Sequence, residues 1–528
     1  MKRIFSLLLA VLMLLTLGLA LAEEKVDEVT YPLSEEPINL SFLVALNRTN
    51  GIIDSLEEMK MFQVMEELTN INFEFHDATD IVSQFNLMCA SGDLVDVAYL
   101  KAVDLPGGIA SYIDDGFIIP LNDLIENYAP HIRAFFEEHP EWLSPMTLDD
   151  GTIYGIPKVK RDDILLAGPG LEIREDWLAN VGLEVPTTIE EWDTVLKAFK
   201  EQDANGNGDA NDEIPLTGLA YTTLGQEVHF IGTLALGYGI TDTYYVIDDK
   251  VRFGPIEDSF YDALQTLHRW YEEGCIDPDY LSNDEDAVGA KTTSNQVGSL
   301  VHRLNGGMAK FLTAWNSEGH TDYSLVAAPF PKSPDGNVYN NQCQFNVGWG
   351  SAVITSVNPN PIETIQWFDY LWTDEGMLLY NYGIEGESYE IIDGKPTYTE
   401  EITNNPKGFS AQSAMYQYNE ALHDFPGVQL GPVFTETTRW PQQREAYSIY
   451  GAAIPCNLRN VNHTAEEGEI IGQYWGDINT YAVENINKFI MGINPLNEES
   501  FENFRNTLIS LHADELLEIK QAAYDRSK

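Results

Sequence analysis

The residues with the plainest chemistry form one run, Asp203-Ala204-Asn205-Gly206-Asn207-Gly208-Asp209. Oxygen-bearing side chains recur at its first, third and fifth positions and a glycine stands at the sixth, which is the front half of an EF-hand-type calcium loop. A hard cation takes roughly six to eight oxygens at about 2.3–2.6 Å, and alternate residues of a tight turn aim their oxygens inward. Asp209 can add its backbone carbonyl. Closure normally uses a bidentate Glu at the twelfth position, but Ile214 stands there. Asp212 and Glu213 come one or two residues early, so the loop is expected to close more tightly, with Asn211 as another closing oxygen. The expected ligand set is Asp203, Asn205, Asn207, Asp209, Asp212 and Glu213, around a structural Ca2+. The competing reading is a solvated turn, because Asn-Gly pairs form turns unaided. Against it, so many converging oxygens are unfavourable without a cation.

Other chemistry is scarce. No Gly-x-Ser-x-Gly elbow, His-Glu-x-x-His helix, P-loop or Gly-x-Gly-x-x-Gly occurs. The 10 histidines are scattered singly, and His229 and His302 read as structural or surface residues. A carboxylate pair for glycoside hydrolysis stays open, since 83 acidic residues offer many pairs whose separation is invisible in sequence. Cys89, Cys275, Cys343 and Cys456 lack any Cys-x-x-Cys spacing. They suggest small core residues and no zinc site, though export would permit disulfides. Thirty Lys+Arg against 83 Asp+Glu give a net charge of −53. A polyanion without a basic run gains nothing from counterion release, so nucleic acid and anionic lipid are excluded as partners. The same charge disfavours an anionic sugar unless cations line its site.

Several elements must position these residues. Lys2 and Arg3, the apolar run Leu7–Leu19 and Ala20-Leu21-Ala22 mark residues 1–22 as an export signal. No cysteine follows Ala22, so no lipid anchor is expected. The chain should be exported, to the periplasm or the cell surface and beyond. Strands are expected over Asn39–Leu46, Asn72–Phe75 and Asp96–Leu100, separated by single helices. The first carries Met59, Phe62, Met65 and Leu68 on one face and the second stops at Gly92. This alternation predicts a parallel sheet and an α/β class. Thr152–Lys160 reads as extended. A helix follows Pro186 with Thr188 and Glu191 as a capping box and Trp192, Leu196 and Phe199 as its apolar stripe. Further helices are expected over Ser259–Glu273, Pro361–Trp372 and Ser500–Tyr524, and a strand over Asn346–Thr355.

Short stretches in a fixed order carry a resemblance. They are Ala90-Ser91-Gly92-Asp93-Leu94 with Asp96, Asp150-Gly151-Thr152-Ile153-Tyr154-Gly155-Ile156-Pro157, and Ile173-Arg174-Glu175-Asp176-Trp177-Leu178. Glu184-Val185-Pro186-Thr187-Thr188 through Trp192, Asp212-Glu213-Ile214-Pro215 and Tyr382-Gly383-Ile384-Glu385-Gly386 continue it. Together they resemble the extracellular solute-binding proteins of ABC importers, family 1, in the large oligosaccharide-binding branch with a calcium loop. Two departures stand out: the loop is one residue longer than usual, and the lipid-bearing cysteine of many relatives is missing. The resemblance implies a periplasmic-binding-protein-like fold, two α/β lobes joined by a multi-strand hinge around a ligand cleft. Residues 23–157 plus about 347–390 would form the first lobe. Residues 158–346 plus 391–528 would form the second, with the loop at 203–213, and crossings near Tyr154–Lys160 and Phe345–Ser351. It further implies a monomeric, non-catalytic receptor that delivers an oligosaccharide to ABC permease subunits. Sugar sites need aromatic faces and polar groups. Trp349, Tyr221, Trp315 and Trp440 are the expected cleft aromatics and Arg303 the expected charged group, with Arg174 a second arginine to weigh. Rival readings are a secreted glycan hydrolase, a peptide receptor of the same fold and a calcium-stabilised surface protein.

Overall fold

A computed structural model describes residues 25–44, 52–101, 105–317, 319–320, 322–422, 425–459 and 461–528. The side chain of Trp349 and the expected export signal lie outside that description. In chain order the strands begin with β1 (Ile38–Val44), β2 (Ile71–Asp77), β3 (Val97–Leu100), β4 (Ile156–Lys160), β5 (Gly170–Arg174) and β6 (Ile214–Leu216). Then come β7 (Tyr244–Ile247), β8 (Lys250–Phe253), β9 (Val297–His302), β10 (Leu325–Ala328) and β11 (Tyr339–Asn340). Last are β12 (Val347–Ile354), β13 (Tyr389–Ile392), β14 (Lys395–Tyr398), β15 (Gly427–Gln429) and β16 (Ile454–Pro455). Two sheets organise the two lobes: a six-stranded one, β15-β4-β12-β3-β1-β2, and a four-stranded one, β10-β5-β9-β6.

The first sheet follows the expected pattern. β1 pairs in parallel with both β2 and β3. β3 is buried along its whole length and β1 at Leu40, Phe42, Leu43 and Val44, so both read as largely apolar runs, whereas the edge strand β2 is buried only at Ile71 and Phe73. Phe42 on β1 is fully buried among Phe73, Phe75, Phe368 and Phe425. Truncating such a ring to alanine costs about 3–5 kcal/mol. The helix Ile81–Ser91 ends at Gly92 with φ +74, a left-handed cap that glycine adopts without strain. In the second lobe, Trp192, Leu196 and Phe199 of the helix Ile189–Glu201 are fully buried. Its cap departs slightly from the expected box. Thr188 Oγ1 accepts from Glu191 N at 3.2 Å, but the Glu191 carboxylate reaches back to Thr187.

Three segments link the sheets. The chain leaves the first after Lys160 and returns at Val347, and β4 and β12 pair antiparallel there. It leaves again after Gln429, because β15 pairs in parallel with β4. This third link corrects the expected boundary near 390: Tyr398, Ile402, Met415, Phe425, Val428 and Val433 all lie in the first lobe's core. The expected closing helix is two, Glu498–Ser510 and Ala513–Arg526, broken where His512 takes φ +71. They pack against a longer unanticipated helix, Ala465–Ile490. No helix among the described residues is long and apolar enough to cross a membrane.

Candidate functional site

The oxygen-rich loop joins the helix Ile189–Glu201 to β6 and is held mostly by its own hydrogen bonds. Gly208 N donates to Asp203 Oδ2 at 2.9 Å, and Asn207 N donates to Asn205 Oδ1 at 2.9 Å. The Asn205 and Asn207 amides donate to the two oxygens of Asp212, at 3.1 and 2.8 Å. Ala204 N donates to Glu213 Oε1 at 3.1 Å. Asp209 turns its carboxylate to Asn211 instead, at 3.2 Å from its N and 2.8 Å from Nδ2. Two buried oxygens are left over: Asp203 Oδ1 and Glu213 Oε2 have no partner within the protein. Burial, reinforced by the neighbouring Asp212, raises the proton affinity of Glu213. Among the described residues no three His, Cys, Asp or Glu side chains converge as a ligand set by themselves, because the loop supplies amide oxygens between its acids. Orphaned anionic oxygens at both ends of a loop rich in hard donors fit a calcium ion, with Glu213 as the closing carboxylate.

A second site lies between the lobes, a cavity of about 660 Å³. The first lobe contributes Leu105–Ile109, in the connection after β3. The second contributes Leu224 and Gly225, Thr241, Thr243 and Tyr244 around the start of β7, Asn341 after β11, and Asn457, Leu458, Arg459, Val461, Asn462 and His463 after β16. The helix Ala465–Ile490 adds Gly468, Ile471, Gly472, Trp475 and Gly476, and the last helix adds Leu516 and Lys520. In open α/β sheets ligands sit outside the carboxyl ends of the strands, and the 105–109 wall follows the carboxyl end of β3. Gly468 lets the lobes meet: a Cβ there would lie 2.9 Å from the Gly107 carbonyl carbon and 3.1 Å from Gly108 N. Gly472 and Gly476 face open space.

The cavity wall is polar in a particular way. Tyr244 Oη, Asn341 Oδ1, Asn457 Oδ1 and His463 Nε2 are all buried and all lack a hydrogen-bond partner in the protein. Buried polar atoms are ordinarily satisfied, and these four, each closed off from solvent, belong to residues whose other atoms line the space. Burial, with Lys520 and Arg526 nearby, pushes His463 down to about 3, which keeps its ring neutral. Burial also pulls Lys520 down to about 8. Tyr244 and Trp475 lie with ring centroids 5.6 Å apart.

The cleft residues expected from sequence are elsewhere. Trp349 falls in β12, where the pairing with β4 shifts register between Val347 and Ser351, and its side chain lies outside the described residues. Tyr221 is a core residue, 2% exposed, its hydroxyl donating to the buried Asp242 at 2.6 Å, so it presents no face to a sugar. Trp315 is stacked on Tyr323 with centroids 4.9 Å apart, and Trp440 donates from Nε1 to Thr313 at 3.0 Å. Arg303 pairs with Glu227 at 2.6 Å, and Arg174 is clasped by Asp176 and Asn295 over the Tyr323 ring. Tyr221, Trp315, Trp440, Arg303 and Arg174 are not among the residues that wall this cavity. Trp475, Tyr244 and Lys520 were missed. A signal for the first was present, since Thr464 and Glu467 form a full capping box before it.

No protein-family model matches the chain. The fructooligosaccharide ABC transporter substrate-binding protein FusA of Streptococcus pneumoniae is 26% identical over 526 residues, covering 95% of this chain and 93% of that one. The alginate-binding protein AlgQ2, solved without calcium ion, superposes with a TM-score of 0.77 at 26% identity, covering 94% of this chain and 100% of that one. An EF-hand mutant of S. pneumoniae FusA in complex with fructo-nystose matches in fold, with a TM-score of 0.75 at 23% identity, covering 92% and 99%. The chain is therefore a homologue of the substrate-binding proteins of ABC transporters, with their two-lobed fold, as its motifs implied.

Proposed function

We propose that this chain is the extracytoplasmic binding component of an ABC importer, which captures an oligosaccharide between its lobes and hands it unaltered to membrane permease subunits. The observation that carries this is a cavity of about 660 Å³ between the lobes, walled by Trp475 and Tyr244 together with the polar residues Asn341, Asn457 and Asn462. Sugar hydroxyls both donate and accept, and the C–H faces of a sugar ring pack on aromatic rings. Relatives named for fructooligosaccharide and alginate binding support a carbohydrate. The described walls carry no Asp or Glu; a glycosidase needs two, so capture is favoured over hydrolysis. Closure of the lobes about the three links is the conformational step. The loop 203–213 holds a structural Ca2+ through Asp203, Asn205, Asn207, Asp212 and Glu213, with Asp209 giving its carbonyl. When bound, the ion neutralises the loop's acids and fixes the approach to β6.

Calorimetry against a panel of neutral and acidic oligosaccharides, with chromatography of the recovered sugar, tests the reading. One specific binder in the micromolar range, recovered intact, is expected. Shortened products would overturn capture, and no binding by any oligosaccharide would overturn the ligand class.

A further inference from the structure

The cavity has a charge opposite to that of the body around it. The chain has 83 acidic and 30 basic residues, yet the 24 described residues that wall the cavity include Lys520 and Arg459 and no Asp or Glu. Arg459 is committed elsewhere: its Nη2 donates to Ser527 O and Oγ, at 2.7 and 3.1 Å, and its guanidinium lies over the Tyr524 ring. Lys520 is free. Among the described residues its ammonium makes no hydrogen bond or ion pair, and it lies 6.0 Å from the centroid of the Tyr244 ring. The neighbouring acid that would neutralise it, Glu467, has both oxygens taken by Arg526, at 2.9 and 2.5 Å. His463, the other titratable group beside it, is neutral. Glu467 attracts the Lys520 ammonium from nearby but is shared with Arg526, and a desolvated ammonium so weakly compensated is unfavourable, so its retention in a wall free of acids calls for a ligand that supplies the charge.

We propose that Lys520 is a specificity residue that pairs with a carboxylate on the ligand, and that the captured oligosaccharide contains uronic acid. This rests on carbohydrate capture in the same cavity. The neutral residues of the wall fit the rest of such a molecule: Asn341, Asn457 and Asn462 are polar, and Tyr244 and Trp475 are aromatic. Lys520 sits on the helix Ala513–Arg526 one turn from Leu516, which also walls the space.

The test uses the full protein and calorimetry at neutral pH. The probes are galacturonate, glucuronate and mannuronate oligosaccharides, the methyl ester of each, and neutral fructo- and gluco-oligosaccharides. The expected result is that a uronate binds and that its ester, which keeps the shape and loses the charge, binds roughly tenfold to a hundredfold more weakly, the range for a hydrogen bond to a charged group. Lys520→Met should abolish that preference, and Lys520→Arg should retain it, which separates a charge effect from misfolding. If an ester binds as tightly as its acid, or only neutral sugars bind, the role of Lys520 falls while carbohydrate capture stands. If no oligosaccharide binds, both fall.

Discussion

Removing calcium from the 203–213 loop should destabilise the second lobe by a calculable amount. Without a cation, Asp203 Oδ1 and Glu213 Oε2 remain buried and unpartnered, and each orphaned oxygen costs about 1–3 kcal/mol. Mass action gives an independent figure. A site with a dissociation constant of about 10⁻⁴–10⁻³ M, as in extracellular modules, contributes about 1.4–2.7 kcal/mol at roughly 10 mM calcium. The two ranges overlap near 2–3 kcal/mol. For a cooperative unit of about 150–250 residues, that corresponds to a melting shift of roughly 4–12 °C between calcium and EGTA. Differential scanning calorimetry reads it directly. Glu213→Gln should abolish the shift, since the amide can still accept from Ala204 N but carries no charge. The sign with pH is also fixed. Glu213 takes up its proton more readily folded than unfolded, so in EGTA wild type loses stability as pH rises through the ordinary glutamate value of about 4.3 and beyond. At pH 7 in EGTA, Glu213→Gln should therefore be no less stable than wild type. Equal melting in calcium and EGTA, or a shift that survives in the variant, would refute the loop as a metal site.

Three further outcomes follow from the cavity. Tyr244→Phe removes an unpartnered buried hydroxyl, so urea melts should show unchanged or slightly higher stability while calorimetry shows weaker ligand binding; a loss of stability would mean that the hydroxyl is satisfied within the protein. Gly468→Leu places a side chain where the Gly107 backbone lies; small-angle scattering should show a larger radius of gyration and affinity should fall about tenfold, although losing a mid-helix glycine favours the helix itself by about 1 kcal/mol. His463, pushed down to about 3, is neutral folded but protonates unfolded below about 6.5, so stability is lost as pH falls from there at up to about 1.4 kcal/mol per pH unit; Tm measured from pH 7 to 5 should fall less steeply in His463→Gln.

Local patterns were legible in the sequence and distant pairings were not. β3 could be read because its four residues are buried and apolar, β1 because its buried positions Leu40, Phe42, Leu43 and Val44 are apolar, and the helix Ile189–Glu201 because its cap and stripe are local. Oxygen alternation in the calcium-type loop is likewise local. β15 is three residues that join the first sheet only by pairing with β4, far away in the chain, and nothing in Gly427–Gln429 announces that partner. The surroundings of the expected aromatics are equally non-local. Tyr221 is taken out of play by Asp242, in a separate segment, whereas Trp475 lies on a helix whose apolar positions look like any core-facing stripe. What distinguishes Trp475 is the row Gly468, Gly472 and Gly476 beside it, which clears space only once the Gly107 turn of the other lobe is brought against it.

Charge shows why composition misleads about a ligand. A net −53 argues against an anionic partner when each charge is weighed equally, but the weights differ. Exposed acids on the body act through water and salt, and beyond a Debye length of about 8 Å at physiological ionic strength they are largely screened. Lys520 acts inside a cavity, where a unit charge at contact is worth several times more than in bulk water. The wall has been cleared of acids, and Glu467, the acid beside Lys520, is tied up by Arg526. Arg303 and Arg174, the cations first considered for this task, are each neutralised by a carboxylate of their own. Selection for an anion therefore needs one unpaired ammonium in a wall free of acids, and the acidic surface sets how fast such a ligand arrives more than how tightly it is held.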